Sequence, residues 1–329
     1  MACSDGVQSI VNKGFTERQA KFLALVMRQS GVCLMRQYST FAGIVFGQTT
    51  RVFFDKLVAR NYASTYDCAH NRARIYHVRH RELYEAIGEP DSRLRRPPAI
   101  PTALERVMLL DAMLASPDIV WLATPDEKVA HLTTRTKIPL EDLPHVTVGQ
   151  GDARQLRYFP DRLPLGVHPE GRVVLVYLSL DPFRDDFRSF LQRHAAMVAG
   201  LTAWTIRIVL PDHRATAAQD FEMTARNQLA GPLSQRVWDE LRWYFEQLRA
   251  ARSGAAEDID EVRFQRDRRA FQAHRYPVLY RAWLQDGERV LTLASSSKIA
   301  DALASGTGKI EPMILPHSYA HLSPLVGIA

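Results

Sequence analysis

Residues 47–60 read GQTTRVFFDKLVAR. Val52, Phe53, Leu57 and Val58 recur at helical spacing and predict the buried face of a helix from Gln48 to about Asn61. Its other face offers Gln48, Thr49, Arg51, Asp55 and Lys56. Upstream, Thr16-Glu17-Arg18-Gln19 has the capping-box pattern, with Phe15 placed as a hydrophobic staple. Ala20, Leu23, Ala24 and Met27 then form one face of a helix that Ser30-Gly31 stops. A shorter helix from Met35 to Ala42, with Tyr38, Phe41 and Ala42 turned inward, ends in the break Gly43 to Gly47.

Downstream the period changes. Tyr62 to Asp67 reads as a strand, Ala69-His70-Asn71 as a turn, and Arg72 to Val78 as the returning strand. Ile75 and Val78 are expected inside on that strand, with Arg74 and His77 outside. Arg79 to Ile87 reads as a closing helix. Three helices, a ribbon and a last short helix predict a winged helix-turn-helix over residues 1–88. Such a unit places its third helix in the DNA major groove, with the first side chains meeting base edges. The candidate DNA-binding residues are therefore Gln48, Thr49, Thr50, Arg51 and Lys56 on that helix, and His70, Asn71, Arg72 and Arg74 on the ribbon. Gln and Arg make bidentate contacts with adenine and guanine edges, and the ribbon residues suit a neighbouring groove or phosphates.

Charge supports the same reading. The 329 residues carry 42 Lys+Arg against 36 Asp+Glu. Residues 1–100 hold 15 of the former and 8 of the latter, so the whole positive excess lies in the first third. Charge gathered in one small unit is the footprint expected for a polyanion partner. The composition, 46% hydrophobic and 24% charged, excludes disordered, collagen-like and coiled-coil classes. The longest apolar runs, such as Val173 to Leu178, are too short for a membrane span. The start MACSDGVQSI has no basic-then-apolar signal, which predicts a cytoplasmic protein. Cys3, Cys33 and Cys68 do not suggest a disulfide framework.

Residues 89–101, EPDSRLRRPPAIP, read as a stiff, basic, proline-rich linker. From Thr102 to the end the chain reads as a second, α/β domain. An amphipathic helix (102–115) is followed by a strand (119–123), then by a helix capped by Thr124 with Pro125 in its first turn. Strands follow at 154–159 and 172–180, then a helix from Phe183 to about Ala199 and a strand at 203–210. Helix, three strands, helix, strand is the frame of a restriction-endonuclease-like sandwich. Active members set a Pro-Asp beside a Glu-x-Lys on the next strand, and the carboxylates hold a divalent metal. Pro160-Asp161 stands in the first place, but Tyr177-Leu178-Ser179 stands in the second. No catalytic residue, metal ligand or cofactor is assigned. The rival, a nuclease, would need Asp161 with carboxylates such as Glu105, Asp126 or Asp181.

The segments TERQAKFLALVMRQSG (16–31), GQTTRVFFDKLVAR (47–60) and RYFPDRLPLGVHPEGRVVLVYLSLDP (157–182) resemble the replication-relaxation family of plasmids and other mobile elements. The resemblance covers roughly residues 15–210. It implies a winged helix joined to an endonuclease-like domain that departs from the family at Tyr177 and Ser179. It further implies a non-catalytic accessory protein that binds double-stranded DNA in replication, transfer or recombination. Its partners would be a relaxase, replication initiator or recombinase, or a second copy in a homodimer. A transcriptional regulator is the alternative. Residues 221–252 are expected as a helix with an aromatic face of Trp238, Leu241, Tyr244, Phe245 and Leu248. A second charged helix is expected at 257–274, a hairpin at 276–293 turning on Gln285-Asp286-Gly287, and an irregular tail after Ser295. Gly306-Thr307-Gly308-Lys309 lacks the spacing of a phosphate-binding loop. Cys68, His70, His77 and His80 are too irregularly spaced for a zinc site.

Overall fold

A computed structural model describes residues 2–68, 73–149, 154–180, 184–254 and 260–322, with side chains from residue 5. The chain is a mixed α/β protein. Its first part comprises helices α1 (Ala2–Asn12), α2 (Glu17–Gln29), α3 (Met35–Ala42), α4 (Gln48–Ala59) and α5 (Arg81–Ala86), with strands β1 (Val32–Cys33), β2 (Ala63–Asp67) and β3 (Arg74–Val78). Thr16 caps α2 in a complete capping box with Gln19. Phe15 is buried edge-on against Phe53 of α4. The strands form one antiparallel sheet in the order β1-β3-β2.

Three expectations change here. Thr50, Phe53, Phe54 and Leu57 form the buried face of α4, whereas Val52 and Val58 stay 53% and 42% exposed. The helix is rotated because Phe54 packs on Tyr76 (4.5 Å) and Tyr38 (6.3 Å), which fixes the bulkier residue inside. On β3, Ile75, Tyr76, His77 and Val78 are all buried, so its period-2 pattern is covered on both faces. Residues 89–101 are not an extended spacer. They carry a 3-10 turn (Arg93–Arg95) and the start of α6 (Ile100–Leu114). Leu94 seats on Gly31, where φ is +69° and a Cβ would stand 2.7 Å from the Leu94 carbonyl oxygen.

Beyond α6 come β4 (Val120–Leu122), α7 (Pro125–Thr134), β5 (His145–Val148), β6 (Gln155–Tyr158), β7 (Leu165–Val167), β8 (Val173–Leu178), α8 (Asp185–Gly200) and β9 (Trp204–Leu210). The last stretch holds α9 (Ala218–Leu229), α10 (Gln235–Ser253), α11 (Glu261–Ala270), α12 (Arg275–Asp286), α13 (Glu288–Ser295), α14 (Lys298–Ser305) and β10 (Gly308–Ile314). The main sheet runs β10-β9-β8-β7-β4, with β8, β9 and β10 parallel and β7 antiparallel to both its neighbours. The expected strand at 154–159 forms, but it pairs with β5 in a separate ribbon, and β7 takes its place in the sheet.

The β8 run VVLVYL is apolar throughout because both of its faces are buried. Val173 and Leu175 join Phe187, Phe190, Leu191 and Trp204 in one core with α8, α9 and α14. Val174 and Val176 join Val107, Met108, Leu315 and Tyr319 on the other side, in a core that also takes Val32, Leu34 and Ile75 from the first part. The expected hairpin at 276–293 is instead the helix pair α12 and α13. Val278, Leu279, Tyr280 and Trp283 are buried at helical spacing, and Gly287 (φ +61°) parts two helices. The tail is likewise ordered as α14 and β10. The aromatic face of α10 is core: Leu241, Tyr244 and Phe245 pack with Phe271, Tyr280, Trp283 and Leu291.

Candidate nucleic-acid interface

Helix α4 begins after Gly47 with no side-chain cap, so its first N–H groups are open and its positive dipole end faces outward. Gln48, Thr49 and Arg51 are exposed on this first turn. Beside them Val45 is 93% exposed and Phe46 is 46% exposed, and the Arg51 guanidinium lies 5.9 Å from the Phe46 ring centre. Three apolar residues, Ile44, Val45 and Phe46, bracketed by Gly43 and Gly47 were the legible signal for this ledge, which periodicity alone passes over.

The other expected contacts fare differently. Thr50 is fully buried, and its hydroxyl meets Ser39 of α3 at 3.0 Å, so it fastens α4 to α3 and faces no ligand. Lys56 sits 4.8 Å over the Phe15 ring and donates to the Gly14 carbonyl, which commits its ammonium to the fold. Burial, with the repulsion of Arg60, lowers its pKa. Arg60 donates to the Lys13 carbonyl at 2.7 Å, so both cations clamp the C-terminal half of α4 to the 13–14 turn. Arg74 is exposed on the ribbon but meets Asp67, its register partner, at 3.2 Å. His70, Asn71 and Arg72 lie outside the described residues. The structure thus gathers Gln48, Thr49 and Arg51 and withdraws Thr50 and Lys56.

The half-motif at Pro160-Asp161 lies in the turn between β6 and β7. Asp161 is mostly buried; Arg193 of α8 reaches its Oδ2 at 3.1 Å and His194 Nε2 at 3.8 Å. Lys128 of α7 is buried nearby, donates to the Leu163 carbonyl at 2.8 Å, and lies 5.5 Å from the Phe159 ring. Burial lowers its pKa to about 8, against the pull of Asp161 and Glu127. Burial also lowers the pKa of His194, whose Nδ1 meets the Phe190 carbonyl at 2.8 Å. Three cationic or ionisable nitrogens therefore surround one carboxylate. On β8, Tyr177 packs against Phe187 and Phe190, and Ser179 is buried. Among the described residues no three His, Cys, Asp or Glu side chains are gathered as a ligand set. Of the carboxylates the nuclease reading would recruit, Asp181 lies outside the described residues.

Compared with family models, with curated proteins and with solved structures, the chain matches none of them. Among the described residues no helix is long and apolar enough to cross a membrane.

Proposed function

We propose that this protein binds duplex DNA as a non-catalytic accessory factor of a mobile genetic element. Its first part would act as a winged helix that lays α4 in the major groove. The observation that carries the reading is the first turn of α4. Gln48, Thr49 and Arg51 are exposed together, with Arg51 beside the Phe46 ring and without an ion pair among the described residues, on a helix held from behind by Phe53, Phe54 and Leu57. The excess of positive charge in residues 1–100 supports it.

The second part, read as an endonuclease-like frame, would serve as a platform for a relaxase, replication initiator or recombinase, or for a second copy. The order α6, β4, β7, β8, α8, β9 supports that frame. Asp161 supports the non-catalytic reading, since a carboxylate engaged by Arg193 and His194 is poorly placed to hold a hard cation.

The test is binding of the whole protein to a duplex from its own genetic neighbourhood and to a scrambled duplex, across a salt series, with each DNA then checked for nicks in magnesium. Tight, salt-sensitive and sequence-dependent binding without nicking is expected. A site over a promoter rather than an origin or recombination end would make the protein a regulator. Absence of binding at low salt would overturn the reading, and magnesium-dependent cleavage lost in Asp161→Ala would replace it with a nuclease.

A further inference from the structure

The turn between α3 and α4 holds apolar side chains where a plain water-facing turn carries polar ones. Ile44 anchors it. Its N–H donates to the Ser39 carbonyl at 3.0 Å, and its side chain packs on the core that holds Phe53, Phe54 and Leu57. The next two residues stay outside that core, Val45 at 93% exposure and Phe46 at 46%. The backbone is therefore fixed while the two side chains face water.

Both side chains adjoin the first turn of α4. Val45 and Thr49 line one open groove of about 700 Å³, together with Arg18 and Lys21 from the first turns of α2. Phe46 holds its ring 5.9 Å from the Arg51 guanidinium. Lys21 is balanced by Glu17 at 2.5 Å, whereas among the described residues neither Arg18 nor Arg51 forms an ion pair. This mixture selects among occupants. A protein segment or a second copy would bury about 800 Å² a side around an apolar centre, and here Thr49 and Arg51 interrupt the apolar surface after two residues. The major groove of DNA offers what this surface can meet: phosphates for the free cations, base edges for Arg51, and one apolar group, the C5-methyl of thymine.

We infer that Val45 and Phe46 are specificity-determining residues that pack on thymine C5-methyl groups, beside the bases that Thr49 and Arg51 contact. Taking a methyl out of water between apolar side chains favours thymine over every base that lacks one, and it needs no hydrogen bond. The Phe46 ring also restrains the guanidinium of Arg51 through its negative face, which limits the positions from which Arg51 meets a base edge. The inference rests on the proposed DNA-binding function and adds a thymine preference to it.

The test uses the full chain and a duplex from its genetic neighbourhood, prepared once with thymine and once with uracil at every thymine position. The exchange removes methyl groups and keeps every hydrogen-bonding edge. A scrambled thymine duplex is the reference for sequence dependence. Wild type should bind the uracil duplex about fourfold more weakly for each methyl it contacts. Val45→Ser/Phe46→Ser should bind the thymine and uracil duplexes alike, with the wild-type melting temperature, because both side chains lie outside the core. Val45→Ser alone, at a side chain almost wholly in water, should already lose part of the preference.

Equal affinity of wild type for the thymine and uracil duplexes overturns the inference, and it leaves the DNA-binding function standing where both bind more tightly than the scrambled duplex. A uracil penalty that both variants retain in full overturns the inference as well, since the methyls then act through other residues or through the shape of the DNA. No duplex binding at low salt overturns the inference and the DNA-binding function together.

Discussion

Arg51 and Thr50 are neighbours with opposite duties. A base-contacting Arg51 contributes roughly 1–3 kcal/mol of discrimination, so Arg51→Ala should bring affinities for cognate and scrambled duplexes together by that amount in a binding titration. Thr50→Val should leave DNA affinity unchanged and lower stability by about 1 kcal/mol, because it strands the Ser39 hydroxyl in the core. Asp161 is a structural counter-ion in the same sense. Asp161→Asn should cost about 3 kcal/mol in urea unfolding, since Lys128 stays buried without its partner charge. The pH dependence has a definite sign. His194 is depressed below its ordinary 6.5, so the unfolded chain takes a proton that the folded chain refuses, and stability falls as pH drops below about 6.5. Lys128 acts likewise between about 8 and 10.5, where stability rises with pH as the unfolded chain alone retains the proton. Unfolding curves of Lys128→Met should lack that alkaline rise. Neither role could be read from sequence, because nothing in the one-dimensional pattern brings residues 128, 161 and 194 together.

At the scale of elements, caps and long amphipathic faces were legible, and short or doubly covered pieces were not. Thr16 and Thr124 cap their helices as their local pattern requires, since capping involves only residues three apart. The rotation of α4 was not legible: Val52 and Phe53 fit one helical stripe and Phe53 and Phe54 another, and the rings of Tyr38 and Tyr76 choose between them. Gln285-Asp286-Gly287 suits a hairpin and also a helix stop, and burial of Tyr280 and Trp283 on one face decides for the stop. Strand β10 was missed because it adds to the sheet edge by long-range pairing with β9. Gly308 permits that pairing: a Cβ there would stand 2.4 Å from the Trp204 ring. Gly308→Ala should therefore destabilise the protein by about 1–3 kcal/mol, with a change in Trp204 near-ultraviolet dichroism to locate the effect.

Across the whole molecule, the two parts share a core. Val32, Leu34 and Ile75 pack with Val107, Val174 and Val176, and Arg36 of α3 forms a two-pronged pair with Asp111 of α6 at 2.7 Å. Tyr319 closes the group with a 2.6 Å bond to Asp111 Oδ2. All five tryptophans lie beyond residue 101, so fluorescence reports on the second part alone. Tryptophan fluorescence and far-ultraviolet dichroism should nevertheless give coincident urea transitions, because neither part buries its contact face alone. Arg36→Ala should lower that single transition by about 3–5 kcal/mol by leaving Asp111 buried without its counter-charge. Two separated transitions would show that the shared core carries little of the stability.

What the sequence determined by itself is local: the helices with their caps, most strands, the basic first third and the polar first turn of α4. Each depends on residues a few positions apart. Only the tertiary structure decided which face of α4 is buried, that Lys56 is spent on the 13–14 turn, and that Asp161 is bound by α8. It also decided that residues 89–101 weld the two parts together. These depend on burial and charge neighbours drawn from distant segments, and burial sets which cations stay free for a ligand and which are consumed by the fold.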